Sequence, residues 1–217
     1  MLPVRPLHFH ASPAIILRMK KGRLIVFEGI DGAGKSTQVR MLKRKLRARG
    51  RDVAAFREPS RSRFGRTLRA KAKEAGSLTP AEELDLFIKD RRENVARNIR
   101  PALREGRVVI LDRYYFSTMA YQGAKGLDPE WIRTVNERFA PKPDLVFILD
   151  VGPPEGLARI SGRGTRDALF ERESYLRKVR RLFRTLRGPR FVHLDGKRDK
   201  RELGREILDR TLAVLGE

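Results

Sequence analysis

The sequence predicts an α/β fold, one parallel sheet layered between helices, and three observations predict it. Apolar strand patterns alternate with helical ones from residue 23 almost to the C-terminus, the order that a parallel sheet with crossover helices demands. Strand candidates such as 107–111, which runs Arg107-Val108-Val109-Ile110-Leu111, are continuous apolar stretches rather than alternating ones, as strands covered on both faces are. Charged residues stand at the ends of these strands, at Arg57, Asp112 and Asp150, where open α/β sheets hold their ligands. At 217 residues the chain can bury one sizeable core, so a single domain over 23–217 is expected.

The elements follow in order. Residues 1–22 carry three prolines, scattered basic residues and a second methionine, Met19; they lack the long apolar core of a signal peptide and are expected to be a disordered extension. Leu24–Phe27 is the first strand. Helical spacing of Val39, Leu42 and Leu46 follows over 35–49, with Gly50 as the stop. Residues 52–56 form a short second strand that delivers Arg57-Glu58-Pro59. Thr79-Pro80 opens a long helix over 80–105, whose inward stripe runs Leu84, Phe87, Arg91, Val95, Ile99, Leu103, with a kink expected at Pro101. An arginine on that stripe needs an anion or hydrogen-bond acceptors to meet it.

The third strand, 107–111, ends in Asp112-Arg113-Tyr114. Asp128-Pro129 opens a helix that turns Ile132, Val135 and Phe139 inward, and Trp131 is read as packing. Residues 145–149 form a fourth strand and 154–161 a short helix. Gly162-Arg163-Gly164-Thr165-Arg166-Asp167 is a basic loop with glycine hinges, read with its flanks as a lid at about 161–171. Helical spacing resumes over 170–186 through Leu176, Val179 and Phe183; 190–194 is a fifth strand and 199–215 a closing helix.

Between the first strand and the first helix lies Gly29-Ile30-Asp31-Gly32-Ala33-Gly34-Lys35-Ser36, followed by Thr37. This fits G-x-x-x-x-G-K-[ST], the Walker A or P-loop pattern. Its glycines let successive N–H groups point at a phosphate chain, its lysine reaches the β- and γ-phosphates, and its serine hydroxyl suits Mg²⁺. The alternative, an ordinary glycine-rich turn, lacks a reason for the strand before it and the helix after it.

Composition narrows the partners. With 49 basic against 27 acidic residues the net charge is +22, a field that attracts polyanions. The basic residues are spread over nearly every segment without interleaved aromatics, so binding to nucleic acid is expected to be weak and nonspecific at most. No apolar run approaches the ~18 residues of a membrane span. The absence of cysteine excludes disulfides and thiolate metal sites and agrees with a reducing compartment. His8, His10 and His193 show no metal-ligand spacing.

Together, Phe27-Glu28-Gly29-Ile30-Asp31-Gly32-Ala33-Gly34-Lys35-Ser36-Thr37, Arg57-Glu58-Pro59, Phe87-Ile88-Lys89-Asp90-Arg91, Asp112-Arg113-Tyr114 and Ala120-Tyr121-Gln122-Gly123 resemble the thymidylate kinases, in order over 23 to about 215. The resemblance implies a P-loop NTPase three-layer α/β/α fold with a five-stranded parallel sheet and a short basic lid. It also implies transfer of the ATP γ-phosphate to dTMP with Mg²⁺, in a cytoplasmic homodimer. Carried over residue by residue, it makes Phe87 the aromatic stacked on thymine, Arg91 and Gln122 the readers of the base edge, Tyr121 the ring against the sugar, and Asp31 the partner of the 3′-hydroxyl. Arg57 and Arg113 grip the acceptor phosphate, and Ser36 holds the metal. Asp112 either assists Mg²⁺ through water or orients Arg113. Some relatives carry a P-loop arginine where this chain has Gly32; the task of stabilising the transferring group then falls to Arg163 and Arg166 of the lid, and Glu171 fits the family's lid-helix acid.

The chain departs from the family pattern at Ser60-Arg61-Ser62-Arg63, where many bacterial relatives have two glycines and a threonine, and Asp167 stands one residue further from Glu171 than is common. Two other functions stay open at this stage: a kinase for another nucleoside monophosphate, and a nucleic-acid-binding P-loop ATPase. No Asn-Lys-x-Asp stretch supports a GTPase.

Overall fold

The structure is a computed structural model that describes residues 22–72, 74, 77–160 and 166–217, without the side chains of 166–171. The expected N-terminal extension up to residue 21 and the loop at 161–165 lie outside the described residues. Among the described residues five strands form one all-parallel sheet in the order β2-β3-β1-β4-β5. They are β1 (Arg23–Glu28), β2 (Val53–Arg57), β3 (Val108–Asp112), β4 (Leu145–Asp150) and β5 (Phe191–Asp195). β1 and β3 are buried along almost their whole length, which is why their sequences are apolar without alternation.

The helices are α1 (Lys35–Arg47), α2 (Arg63–Lys71), α3 (Pro80–Asn94), α4 (Arg100–Arg104), α5 (Tyr115–Gly123), α6 (Pro129–Glu137), α7 (Pro153–Ile160), α8 (Arg166–Thr185) and α9 (Lys200–Leu215). α1 buries Val39, Leu42 and Leu46 and packs on α9, while α5 packs against α3, α6 and α8. Leu176, Val179 and Phe183 of α8 are inward as expected. Register does the positioning. Phe27 pairs with Asp112 across β1 and β3, and Arg57 pairs with Asp112 across β2 and β3. The chain segments after three neighbouring strands therefore emerge side by side at the carboxyl edge of the sheet.

The long helix begins as its sequence indicates, with Thr79 and Glu82 forming a reciprocal capping box. It is not α-helical throughout. A π-helical turn, Val95–Ile99, joins α3 to α4, placing the irregular turn just ahead of the ring that cannot donate an N–H to residue 97. Two helices were not foreseen. α2 starts at Ser62, whose hydroxyl accepts from the Gly65 N–H. α5 is buried on nearly all sides, Tyr115 through Ala120 together with Gln122, so no apolar stripe betrays it. The reading of Trp131 as packing is corrected: the residue is 53% exposed, because α6 turns Ile132 and Asn136 to the interior and leaves the neighbouring position outward.

Candidate active site

The loop after β1 curls through positive φ at Gly29, Gly32 and Gly34. At Gly32 the need for glycine is also steric, since a Cβ there would stand 2.0 Å from the carbonyl oxygen of Gly156 on α7. The P-loop and α7 thus meet backbone to backbone, and this loop has no room for an arginine at that position. Lys35 is nearly buried, and its Nζ donates to the carbonyls of Gly29 at 3.0 Å and Ile30 at 2.7 Å. Burial, with the nearby Arg113 cation, lowers its pKa to about 7. A cavity of about 360 Å³ opens over this loop, lined by Asp31, Gly32, Gly34, Lys35, Ser36 and Thr37 together with Arg57, Arg113 and Arg159. Arg159, which sequence reasoning passed over, donates to the carbonyls of Gly32 and Gly196.

Ser36 Oγ donates to Asp112 Oδ2 at 2.5 Å, while Asp112 Oδ1 is buried without a partner. A hydroxyl beside an unsatisfied carboxylate oxygen is a hard, oxygen-only donor set, suited to Mg²⁺, which takes few protein ligands and completes its shell with water and phosphate. Among the described residues no cluster of three or more His, Cys, Asp or Glu side chains is placed to hold a metal by itself. The donors fit a metal shared with a nucleotide.

Arg113 is held in an unusual conformation, φ 73°, rare for a residue with a Cβ. Its N–H donates to the Phe27 carbonyl at 2.9 Å, and the chain that follows is held by Glu28, at the end of β1 and fully buried. Its Oε1 accepts from the N–H groups of Tyr114 at 2.8 Å and Ser117 at 3.1 Å, and its Oε2 accepts from Ser117 Oγ at 2.5 Å. This carboxylate from another strand caps α5 in place of Tyr114, which has no capping side chain of its own. Burial raises the Glu28 pKa to about 7, although Ser117 and Arg113 oppose it. So anchored, the Arg113 guanidinium donates to Ser117 Oγ at 2.8 Å and to Asp31 Oδ1 at 2.7 Å. Burial works against the Asp31 carboxylate, but Arg113 and Lys35 outweigh it and hold its pKa below the usual range. Burial pushes the Tyr121 hydroxyl up to about 12, so it stays protonated and donates to Asp31 Oδ2.

A second cavity, about 290 Å³, is lined by Arg57, Phe87, Arg91, Arg113, Tyr121 and Gln122, with Asp31 at one end. The acceptor-side candidates Asp31, Arg57, Phe87, Arg91, Arg113, Tyr121 and Gln122 are thus brought to one cavity. Arg91, on the apolar stripe of α3, is 1% exposed. Its Nε donates to Glu58 at 2.7 Å, Nη1 to Asn136 at 2.7 Å and Nη2 to Thr118 at 2.9 Å. The ion pair with Glu58 and the pocket lining coexist in one side chain. Asn94 Nδ2 also donates to Glu58; burial raises the Glu58 pKa against the pull of Arg91. The neighbouring Asp90 accepts from Ser60 N at 2.7 Å, Ser60 Oγ at 2.5 Å and Ser62 Oγ at 2.6 Å. Here the departure from the family pattern acquires a structure: two serines and one buried carboxylate hold the segment after β2, so Asp90 and Arg91 grip it on both sides of Pro59. Tyr175 of α8 also lines the cavity and donates to the Tyr121 carbonyl at 2.8 Å. Glu28, Asp90, Tyr175 and Arg159 were not identified from the sequence; a lone glutamate closing an apolar strand was the one available signal. Arg163 and the side chains of Arg166 and Glu171 lie outside the described residues.

Asp31, Arg57 and Arg113 line both cavities, so a phosphate-chain cradle opens onto a pocket walled by an aromatic ring, a buried arginine and an amide. That arrangement defines a P-loop phosphotransferase of the nucleoside monophosphate kinase class. The family model described as thymidylate kinase matches residues 27–207. Among curated proteins, a thymidylate kinase of Akkermansia muciniphila is 49% identical over 188 residues, covering 87% of this chain and 90% of its own. A thymidylate kinase of Desulfotalea psychrophila is 44% identical, covering 86% and 93%, and a probable thymidylate kinase of Archaeoglobus fulgidus 43% identical, covering 85% and 92%. The chain belongs to the thymidylate kinase family.

Proposed function

We propose that this protein transfers the γ-phosphate of ATP to dTMP, releasing ADP and dTDP for deoxynucleotide biosynthesis. The observation that carries the reading is the sharing of Asp31, Arg57 and Arg113 between the two cavities. A donor phosphate over Lys35 and an acceptor phosphate at Arg57 and Arg113 would then face each other across a single gap, as in-line transfer requires.

The chemistry needs little beyond charge and position. The second pKa of a phosphate monoester lies near ~6, so at pH 7 the acceptor oxygen is largely ionised and no general base is called for. That oxygen forms the new bond to the γ-phosphorus while the bond to the β,γ-bridging oxygen breaks, and the electron pair leaves with ADP. Lys35 orients the β- and γ-phosphates, the amides of Gly29–Thr37 cradle them, and Arg57 and Arg113 hold the acceptor with the bidentate geometry of guanidinium. Ser36 and Asp112 would hold Mg²⁺, which when bound supplies charge neutralisation at the β- and γ-phosphate oxygens. Arg163 and Arg166 remain our candidates for stabilising the transferring group; the exclusion of a side chain at Gly32 supports that division of labour. Phe87 stacks on the base, Arg91 and Gln122 read its edge, and Asp31 and Tyr121 meet the sugar.

The family likeness supports a cytoplasmic homodimer, and no helix among the described residues is long and apolar enough to cross a membrane. The +22 charge supports weak, salt-sensitive adsorption to nucleic acid as a by-product. A coupled assay with dTMP, dUMP, CMP and AMP offered separately tests the reading. Turnover of dTMP well above the others is expected; turnover of AMP with none of dTMP overturns it.

A further inference from the structure

Gln122 is 1% exposed and lines the acceptor cavity. Its Nε2 donates to Glu83 Oε2 at 2.7 Å, whereas its Oε1 is buried and has no partner. Glu83, on the first turns of α3, also receives the ammonium of Lys125 from beyond α5 on the same oxygen. A carboxylate paired with a lysine can only accept, so the amide group that faces it must be the NH₂. The oxygen then has one orientation, away from Glu83, and a buried carbonyl left without a donor is a costly state that a ligand donor would relieve.

Opposite in character is Arg91. Its Nε, one N–H of Nη1 and its Nη2 are engaged by Glu58, Asn136 and Thr118. Of the five N–H groups of a guanidinium one on Nη1 is then left over. Between them these two side chains offer one donor and one acceptor, each fixed in kind by a second residue. A base presenting a carbonyl next to a ring N–H matches that pair. A base presenting an amino group next to an unprotonated ring nitrogen meets donor with donor and acceptor with acceptor.

We propose that Glu83, held by Lys125, is a specificity-determining positioning residue: it fixes the Gln122 amide so that the site selects pyrimidines with a lactam edge against those with an amidine edge. This rests on the reading of the second cavity as the acceptor-base site. Glu83 touches no reacting atom. Its effect is on which base enters.

The test compares the wild type with Glu83→Gln and Lys125→Met. An amide at 83 can accept from or donate to Gln122, so the side chain at 122 is free to turn over. We expect the ratio of kcat/KM for dTMP to that for dCMP to fall at least ~10-fold in Glu83→Gln, through the KM of dTMP, with the KM of ATP unchanged. In Lys125→Met the same ratio falls by a smaller factor. Binding of thymidine against deoxycytidine, measured by calorimetry, shows the same loss of preference without the phosphate chemistry. A purely structural role for Glu83 would lower turnover of both nucleotides alike, and an unchanged ratio in well-folded Glu83→Gln overturns the proposal. A wild type that prefers a base other than thymine refutes the substrate assignment instead; the shift in nucleoside preference on Glu83→Gln still decides the role of Glu83.

Discussion

The two ends of the acceptor cavity are built on different terms. At the base end Arg91 and Gln122 are each 1% exposed and already bonded to Glu58, Asn136, Thr118 and Glu83. At the phosphate end Arg57 is exposed and, among the described residues, has no hydrogen-bond or ion-pair partner. The contrast follows from what each end must do. Reading a neutral base edge depends on directional hydrogen bonds that must be in place beforehand, and such groups can be buried only when the chain satisfies most of their valence. Gripping a dianion needs charge that the ligand itself neutralises. Substitutions at the base end should therefore damage fold and activity together, and removal of Arg57 activity alone; Arg113, also at the phosphate end but buried against Ser117 and Asp31, belongs with the base end in this respect.

Lys35→Ala sharpens the contrast most. Its ammonium is held by two carbonyls of its own loop and sits in the donor cavity, so removing it deletes a group aimed at developing charge. We expect turnover to fall by about 10³-fold or more, while dTMP binding, measured by calorimetry, stays within about threefold. A matching loss of dTMP affinity would mean that the two cavities are one energetic unit.

At the base end, Arg91→Ala should cost about 3–5 kcal/mol of stability, because it strands a fully buried Glu58. Adding Glu58→Gln removes the stranded charge and should restore much of that stability in urea melts. It should restore none of the dTMP activity. Equal recovery of both would show that Arg91 serves the fold only.

What was legible beforehand follows the same division. Elements with a period could be read: the stripe of α1, the Thr79 cap of α3 and the apolar runs of β1 and β3 lie within a few residues of their expected places. Arg57, Arg113 and the P-loop converge because they stand at or just after adjoining strand ends held in register, and Phe87, Arg91, Tyr121 and Gln122 reach the same cavity from α3 and α5. What could not be read was carried by burial without period or by partners distant in sequence. α5 has no polar face to mark it, and Asp90 binds serines 28 and 30 residues away. Glu28 meets Ser117 across 89 residues. Its identity as a carboxylate was visible, but the helix that it caps was not.

Glu28 gives the contrast a pH dependence. Burial raises its pKa from 4.5 in an exposed chain to about 7 in the fold. Between those values the folded protein holds a proton that the unfolded chain has released, so its contribution is present in full below pH 4.5 and is lost as pH rises through 7. The difference amounts to about 3 kcal/mol. Urea unfolding at pH 5 and pH 8 should show Glu28→Gln losing that much less stability over the interval than the wild type. An unaltered slope would assign the pH dependence to other groups. Because Glu28 caps the segment that follows Arg113, the variant is also expected to raise the KM of dTMP.

Arg57→Ala is the complementary and smallest intervention. The side chain is exposed at the end of β2 and lines both cavities. Its removal should leave the urea midpoint within about 0.5 kcal/mol of wild type, as surface substitutions away from networks do. One charge-assisted contact to the acceptor phosphate is lost, for which we expect an increase of about 10-fold in the KM of dTMP. Lysine at this position should recover only part of the loss, since an ammonium cannot reproduce the fork of a guanidinium. If Arg57→Ala instead destabilises the protein as Arg91→Ala does, the two ends share one buried network, and exposure is not what separates them.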